Sequence, residues 1–173
     1  HLSHQNTREA VITALSMAKN HSLKRILDID YRPVLWGLTS LGDGETRYVE
    51  SERVTSDLQE VLHHFDLIVG TEEEFHIAGG STNTIKALNN VRKYSNAILV
   101  CKRGSLGCSV FENTIPKYLD EGITIKGVKV EVLNVLGAGD AFMSGFLRGY
   151  INGETLEKCC QYANACGALV VSR

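Results

Sequence analysis

Asn134-Val135-Leu136-Gly137-Ala138-Gly139-Asp140-Ala141-Phe142 joins an apolar run to a helical pattern through a turn that ends in an acid. Residues 130–136 predict a strand and its exit, and residues 138–150 predict a helix with small residues at Ala138, Ala141, Gly145 and Gly149. Glycines let the backbone approach a bound group closely. A helix N-terminus adds unsatisfied N–H donors and a partial positive charge, which together suit an anion. An acid in a pure phosphate cradle would repel its ligand. Asp140 therefore has two readings: a first-turn acid stabilised by the helix dipole, or a base that takes a proton while the neighbouring amides hold a transferring charge.

The flanking sequence repeats the same strand–polar exit–helix grammar. Apolar residues at Ala10, Val11, Ala14, Leu15 and Ala18 share a 3.6-period face, so residues 7–21 predict an amphipathic helix. His1 and His4 precede it as polar loop residues or as groups at a strand end. Residues 25–30 predict a short buried strand followed by Tyr31-Arg32-Pro33, with Asp28, Asp30 and Arg32 free to pair with one another. Trp36 reads as a packing residue and residues 37–53 as a loop.

A helix is expected over 55–65, with Leu58, Val61, Leu62 and Phe65 on one face, and a strand over 66–70. Thr71-Glu72-Glu73-Glu74 has the form of a capping box, with Thr71 as N-cap and Glu74 reaching back. A helix over 81–94 with Ser81 as its cap, then strands over 97–101 and 108–111 around a Lys102–Gly107 turn, read as a helix and an ordinary hairpin. Residues 113–129 are polar enough for a connection with one or two short strands. The last helix starts near Gly153 and carries Leu156, Cys159, Cys160, Ala163, Cys166, Gly167 and Val170 as a core stripe. Asn164 interrupts that stripe.

Strands alternating with helices imply an α/β fold with a largely parallel sheet. The 173 residues fit one domain and suffice for a sizeable core. With 43% hydrophobic and 22% charged residues the composition is that of a globular protein. A formal charge of −2 and no dense basic run argue against a nucleic-acid partner. No apolar run is long enough to span a membrane. The five cysteines are odd in number, lack CxxC spacing and fall in apolar runs, which favours reduced buried thiols in a cytoplasm.

The run from Leu136 to Phe146 resembles the C-terminal signature of the ribokinase-like (PfkB) sugar kinases. Together with Asp28-Ile-Asp-Tyr-Arg-Pro and the Val69–Gly80 segment, it is similar to the 5-dehydro-2-deoxygluconokinase branch of that family, the kinase of inositol breakdown. The resemblance covers nearly the whole chain but only the later part of the fold; the first strands, the lid and much of the sugar pocket fall outside it. The sequence therefore reads as the nucleotide-binding portion, an apparent fragment of a larger kinase domain.

The resemblance implies a role for each motif. Asp140 would be the base for the acceptor hydroxyl, with Gly137, Ala138 and Gly139 forming the anion hole. Thr71, Lys102, Arg103, Gly104, Gly107 and Asn164 would contact the nucleotide, with Thr71 standing where the family usually has Asn. Asp30 and Arg32 would face the sugar and the transferring phosphate, and Glu74 would order Mg²⁺ and its waters. ATP and Mg²⁺ follow as cofactors. K⁺ stays open, because Asn134 replaces an Asp that helps hold a monovalent cation in several relatives.

The implied substrate is 5-dehydro-2-deoxy-D-gluconate, with 2-keto-3-deoxygluconate or fructose as rivals. The implied partners are a small sugar acid and ATP, with a homodimer open to the full-length protein. The reading outside the enzyme class is a nucleotide-binding fragment without activity.

Overall fold

The computed structural model describes residues 2–40, 46 and 48–173. The expectations for His1, and for the loop at 41–45 and 47, lie outside the described residues. The chain divides into two compact units, His1–Leu99 with Glu112–Ile115, and Val100–Phe111 with Pro116–Arg173.

The first unit begins with helix α1, Gln5–Asn20, close to the predicted 7–21. Strand β1, Ile26–Asp28, pairs in parallel with β2, Leu67–Thr71, with Ile26 opposite Leu67 and Asp28 opposite Val69. Between them helix α2, Glu52–Leu62, starts three residues before the predicted 55. The reason is Ser51, whose hydroxyl accepts the Val54 amide at 3.4 Å and so caps the helix.

Helix α3, Glu72–Gly79, follows β2 directly, and α4, Thr84–Tyr94, follows α3. The start of α4 corrects the expectation at Ser81. Asn83 is the cap, its side-chain oxygen accepting the Lys86 amide at 2.9 Å, while the Ser81 hydroxyl accepts the Asn83 amide in the preceding turn. Val54, Leu58, Val61, Leu62, Ile68, Val69, Phe75, Leu88 and Val91 form the core. Their burial, at roughly 25 cal/mol per Å² of apolar surface, is the main stabilising term.

A carboxylate pins the entry to both strands of this unit. Asp66 accepts the Arg25 backbone amide at 2.8 Å and two of its guanidinium donors at 3.1 and 2.9 Å. Burial alone would raise the Asp66 carboxyl, but the Arg25 bonds outweigh it and hold the group below the ordinary carboxylate range. Folding therefore favours the charged form. This contribution is fully present above the unfolded pKa and is lost as pH falls through the lowered folded pKa. Asp66→Asn is expected to lower the urea midpoint at pH 7 and to flatten its decline in acid. The same loss at both pH values would mean that Asp66 acts only by packing.

In the second unit β4, Cys108–Phe111, pairs antiparallel with β5, Ile123–Ile125, placing Cys108 opposite Ile125. The strand before them, β3, Ile98–Lys102, has residues in both units, and the strand order is β1-β2-β3-β4-β5. The α/β expectation holds, with a sheet that is mixed: parallel at β1/β2 and antiparallel at β4/β5.

The expected strand over 130–136 does not form. A strand requires a ladder partner, and here the backbone instead sends the Leu133 and Asn134 amides to the Val171 carbonyl at 2.8 and 3.3 Å. Leu133 and Leu136 stay 66% and 75% exposed, so burial does not hold this segment to a sheet.

Helices α5, Ala138–Ile151, and α6, Leu156–Val171, pack closely around Phe142, Phe146, Cys159, Cys160 and Ala163. The small residues read from the sequence make that approach possible. A Cβ on Gly145 would lie 2.5 Å from the Tyr162 carbonyl oxygen. Gly145→Ala is expected to destabilise the chain by about 1–3 kcal/mol through overpacking, read as a lowered denaturant midpoint at unchanged slope. An unchanged midpoint would mean that the two helices separate without cost.

Candidate active site

The two units hold different sets of the residues expected to be functional. In the second unit the signature turn is built by Asn134 and Gly137. The Asn134 side-chain oxygen accepts the Leu136 amide at 2.9 Å, a local turn that Asp would also make. Gly137 then caps α5 in the left-handed region, at φ 78°, where a side chain is strained. No side chain caps this helix end.

The Ala138 amide donates to the Val135 carbonyl at 3.2 Å, so one of the three amides expected in the anion hole already has an acceptor in the turn. Asp140 sits in the first turn of α5 with its side chain exposed, while its carbonyl accepts the Ser144 hydroxyl at 2.9 Å. Lys102, at the end of β3, reaches the same turn: a Cβ built on Gly139 would lie 3.8 Å from the Lys102 Nζ. The structure thus brings together Gly137, Gly139, Asp140 and Lys102. An ammonium and a helix dipole at one turn can hold anionic oxygens, and a carboxylate in the same turn can take a proton.

The other residues expected at the nucleotide have structural occupations of their own. Arg103 sends its guanidinium to Asp120 at 2.6 Å and to the Ser109 hydroxyl at 3.4 Å, and its side chain is only 13% exposed. Asn164 is buried, and its amide nitrogen donates to the Ile125 and Lys126 carbonyls, both at 3.1 Å. The neighbouring Cys108 thiol and burial push the Cys160 thiol up, so it stays protonated. The space at Gly107 is filled by backbone, since a Cβ there would lie 2.0 Å from the Ile125 carbonyl. Gly104 has φ 55° and open space around it.

In the first unit the exits of β1 and β2 carry Asp30, Arg32, Thr71 and Glu74. Asp30 and Arg32 form a 2.9 Å ion pair, both about half exposed. Asp30 also has φ 39°, a left-handed conformation uncommon outside glycine but tolerated by Asp. The capping box forms as expected: the Thr71 hydroxyl accepts the Glu74 amide at 3.2 Å, and Glu74 Oε2 accepts the Thr71 amide at 2.7 Å. The second oxygen, Glu74 Oε1, accepts the Tyr31 amide at 3.2 Å.

Sequence reasoning missed Tyr31, whose buried ring is anchored by its hydroxyl donating to the Val49 carbonyl at 2.7 Å. Burial, with a smaller effect of Tyr48, pushes this phenol up to about 12, so it remains a donor. No sequence signal marks a backbone amide as a ligand. The His76 and Thr84 side chains meet at 2.8 Å.

Among the described residues no group of three or more His, Cys, Asp or Glu could hold a metal. Mg²⁺ needs no such group, since it keeps several waters and takes one or two carboxylates beside substrate phosphates. Glu74 fits a water-mediated place of this kind. Its oxygens accept the Thr71 and Tyr31 amides at the exits of β2 and β1, which places an oriented carboxylate at this strand end.

Residues 42–173 match the family model described as pfkB family carbohydrate kinase. The chain is 29% identical over 176 residues to a 5-dehydro-2-deoxygluconokinase of Bacillus licheniformis, covering 99% of this chain and 48% of that protein. A 5-dehydro-2-deoxygluconokinase of Listeria monocytogenes serotype 4a is 31% identical with the same coverage. The chain therefore spans about half the length of the curated relatives it matches.

Among solved structures, a fructokinase from Vibrio cholerae O395 with fructose, ADP and calcium ion bound is similar at a TM-score of 0.78. It is 21% identical, over 99% of this chain and 52% of that one. An aminoimidazole riboside kinase from Salmonella enterica, complexed with aminoimidazole riboside and an ATP analog, gives 0.77 at 19% identity over 99% and 54%. At these identities the likeness establishes the ribokinase-like fold.

Proposed function

We propose that this chain, which belongs to the pfkB family of carbohydrate kinases, is the nucleotide-side portion of a kinase. That kinase transfers the γ-phosphoryl group of ATP to a hydroxyl of a keto-deoxy sugar acid. The observation that carries the reading is the turn at the start of α5: a left-handed Gly137, an exposed Asp140 and the Lys102 ammonium beside Gly139. The relatives near 30% identity, named 5-dehydro-2-deoxygluconokinase, support 5-dehydro-2-deoxygluconate as the acceptor.

In this reading Asp140 accepts the hydroxyl proton as the acceptor oxygen bonds to the γ-phosphorus. The bond from that phosphorus to the bridging oxygen breaks, and ADP leaves with the bridging oxygen's electron pair. The amides of Gly137 and Gly139, with Lys102, hold the charge spread over the phosphoryl oxygens. The Ala138 amide joins them only if it leaves the Val135 carbonyl.

Gly104, Gly107, Arg103 and Asn164 shape the nucleotide side of this unit. Arg103 and Asn164 act through the Asp120 bond and the Ile125 and Lys126 carbonyls that they hold. On the first unit Arg32 and Asp30 are assigned to substrate and phosphate, Thr71 to the nucleotide and Glu74 to the water shell of Mg²⁺. When bound, Mg²⁺ supplies charge neutralisation on the phosphate oxygens. A cytoplasmic enzyme fits the reading. Among the described residues no helix is long and apolar enough to cross a membrane.

The test is ATP consumption by the full-length protein with 5-dehydro-2-deoxygluconate, 2-keto-3-deoxygluconate and fructose in parallel. Preference for the first supports the assignment. Preference for another keeps the chemistry and replaces the substrate. ATP binding without turnover on any of the three favours the alternative of a nucleotide-binding module.

A further inference from the structure

We infer that Glu74 is a positioning residue: its carboxylate clamps the exit of β1 to the exit of β2 and thereby presets the Asp30–Arg32 pair. The inference rests on the kinase reading for its consequence, but the clamp itself is geometric. One carboxylate accepts two backbone amides from separate strand exits, Thr71 at 2.7 Å and Tyr31 at 3.2 Å. The first bond belongs to the capping box of α3 and stays within one element. The second spans 43 residues of sequence and fixes the residue between Asp30 and Arg32.

That residue needs fixing. Asp30 is held at φ 39°, and Asp30 and Arg32 have exposed side chains that meet at 2.9 Å. The Tyr31 ring, only 4% exposed, and its hydroxyl bond to Val49 anchor the side-chain end of the same residue. With the amide held by Glu74 and the phenol held by Val49, the turn has both ends tied. The planar Arg32 fork is then presented in one geometry to an anionic substrate, with less entropy lost on binding.

The clamp and a purely metal-directed Glu74 make different predictions for two variants. Gln can still accept the Thr71 amide, as capping boxes allow. It has only one oxygen, so its NH₂ group must face the Tyr31 amide, donor against donor. Glu74→Gln therefore keeps the cap and opens the clamp. Glu74→Asp keeps the charge but is one methylene shorter, and it too is expected to lose the Tyr31 bond.

The first readout is hydrogen exchange of the Tyr31 amide in the full-length protein, without nucleotide, sugar or Mg²⁺. Both variants are expected to exchange there at least about tenfold faster than wild type, since bonds to charged groups are worth that factor or more. The Thr71 amide of Glu74→Gln should keep most of its protection, which also shows that α3 remains folded. The second readout is the KM for the sugar acid, expected to rise about tenfold or more in both variants with a smaller change in kcat.

Unchanged exchange at Tyr31 would overturn the clamp. Faster exchange with an unchanged sugar KM and only a raised Mg²⁺ requirement would overturn the positioning role and leave Glu74 to the metal. If wild type turns over neither the sugar acids nor fructose, the kinase reading fails. The exchange experiment still decides the clamp.

Discussion

Asp140→Asn is expected to lower kcat by about 10²–10⁴-fold, the usual loss for a positioned base, while ATP still binds. The substitution preserves shape and removes only the proton-accepting charge. Asp140 is exposed in the first turn of α5, and it is its backbone carbonyl, not its carboxylate, that accepts the Ser144 hydroxyl. Among the described residues no hydrogen bond of the side chain is thus put at risk, beyond its place at the helix dipole. That place is worth about 0.3–1 kcal/mol, enough to shift a melting temperature by a few degrees but far too little to explain a hundredfold loss of turnover.

The two readings of Asp140 therefore separate cleanly. A base gives a large kcat effect at an almost unchanged ATP dissociation constant, on top of the few degrees of melting temperature that the lost dipole charge costs in either case. A helix-end acid gives those few degrees and leaves kcat alone. Near-normal turnover in Asp140→Asn would assign the proton to another group.

The legible parts of this chain are those where local chemistry and tertiary role coincide. The Thr71–Glu74 capping box could be read from four residues because both of its bonds are local. The sequence marks Gly145 and Gly149 only as small residues of a helix; four apart, they share one side, and α6 packs close against it. The segment at 130–136 misled for the opposite reason. Alternating Val130 and Val132 signals a strand, yet a strand exists only where a partner backbone meets it, and sequence says nothing of that partner.

Asn164 and Arg103 show the same limit at the site. Their identities suit a nucleotide contact. The carbonyls of Ile125 and Lys126, and the Asp120 carboxylate, come within reach of them only through the fold. Ser81 lost the cap of α4 to Asn83 because both are good capping residues two positions apart. Neither composition nor periodicity decides between them.

Lys102→Met is expected to lower kcat by about 10²–10³-fold, the range seen when one preorganised charge-stabilising group is removed. Methionine keeps the length and the apolar stem, so β3 retains its packing while the ammonium beside Gly139 is lost. The position of that charge decides what kind of effect to expect. At the N-terminal turn of α5 it lies where the helix dipole already favours an anion. In the proposed transfer, charge that builds on the phosphoryl oxygens would be held there more strongly than the ground-state phosphate.

An interaction made only in the transition state lowers kcat and kcat/KM equally. One made equally in both states raises KM and leaves kcat alone. The two roles open to Lys102, phosphoryl-transfer charge or simple nucleotide contact, thus fall on different axes of one kinetic experiment. A falling kcat at nearly constant KM for ATP places Lys102 in the transfer step. A rising KM at constant kcat makes it a nucleotide contact and leaves the amides of Gly137 and Gly139 to hold the transferring charge with the helix dipole alone.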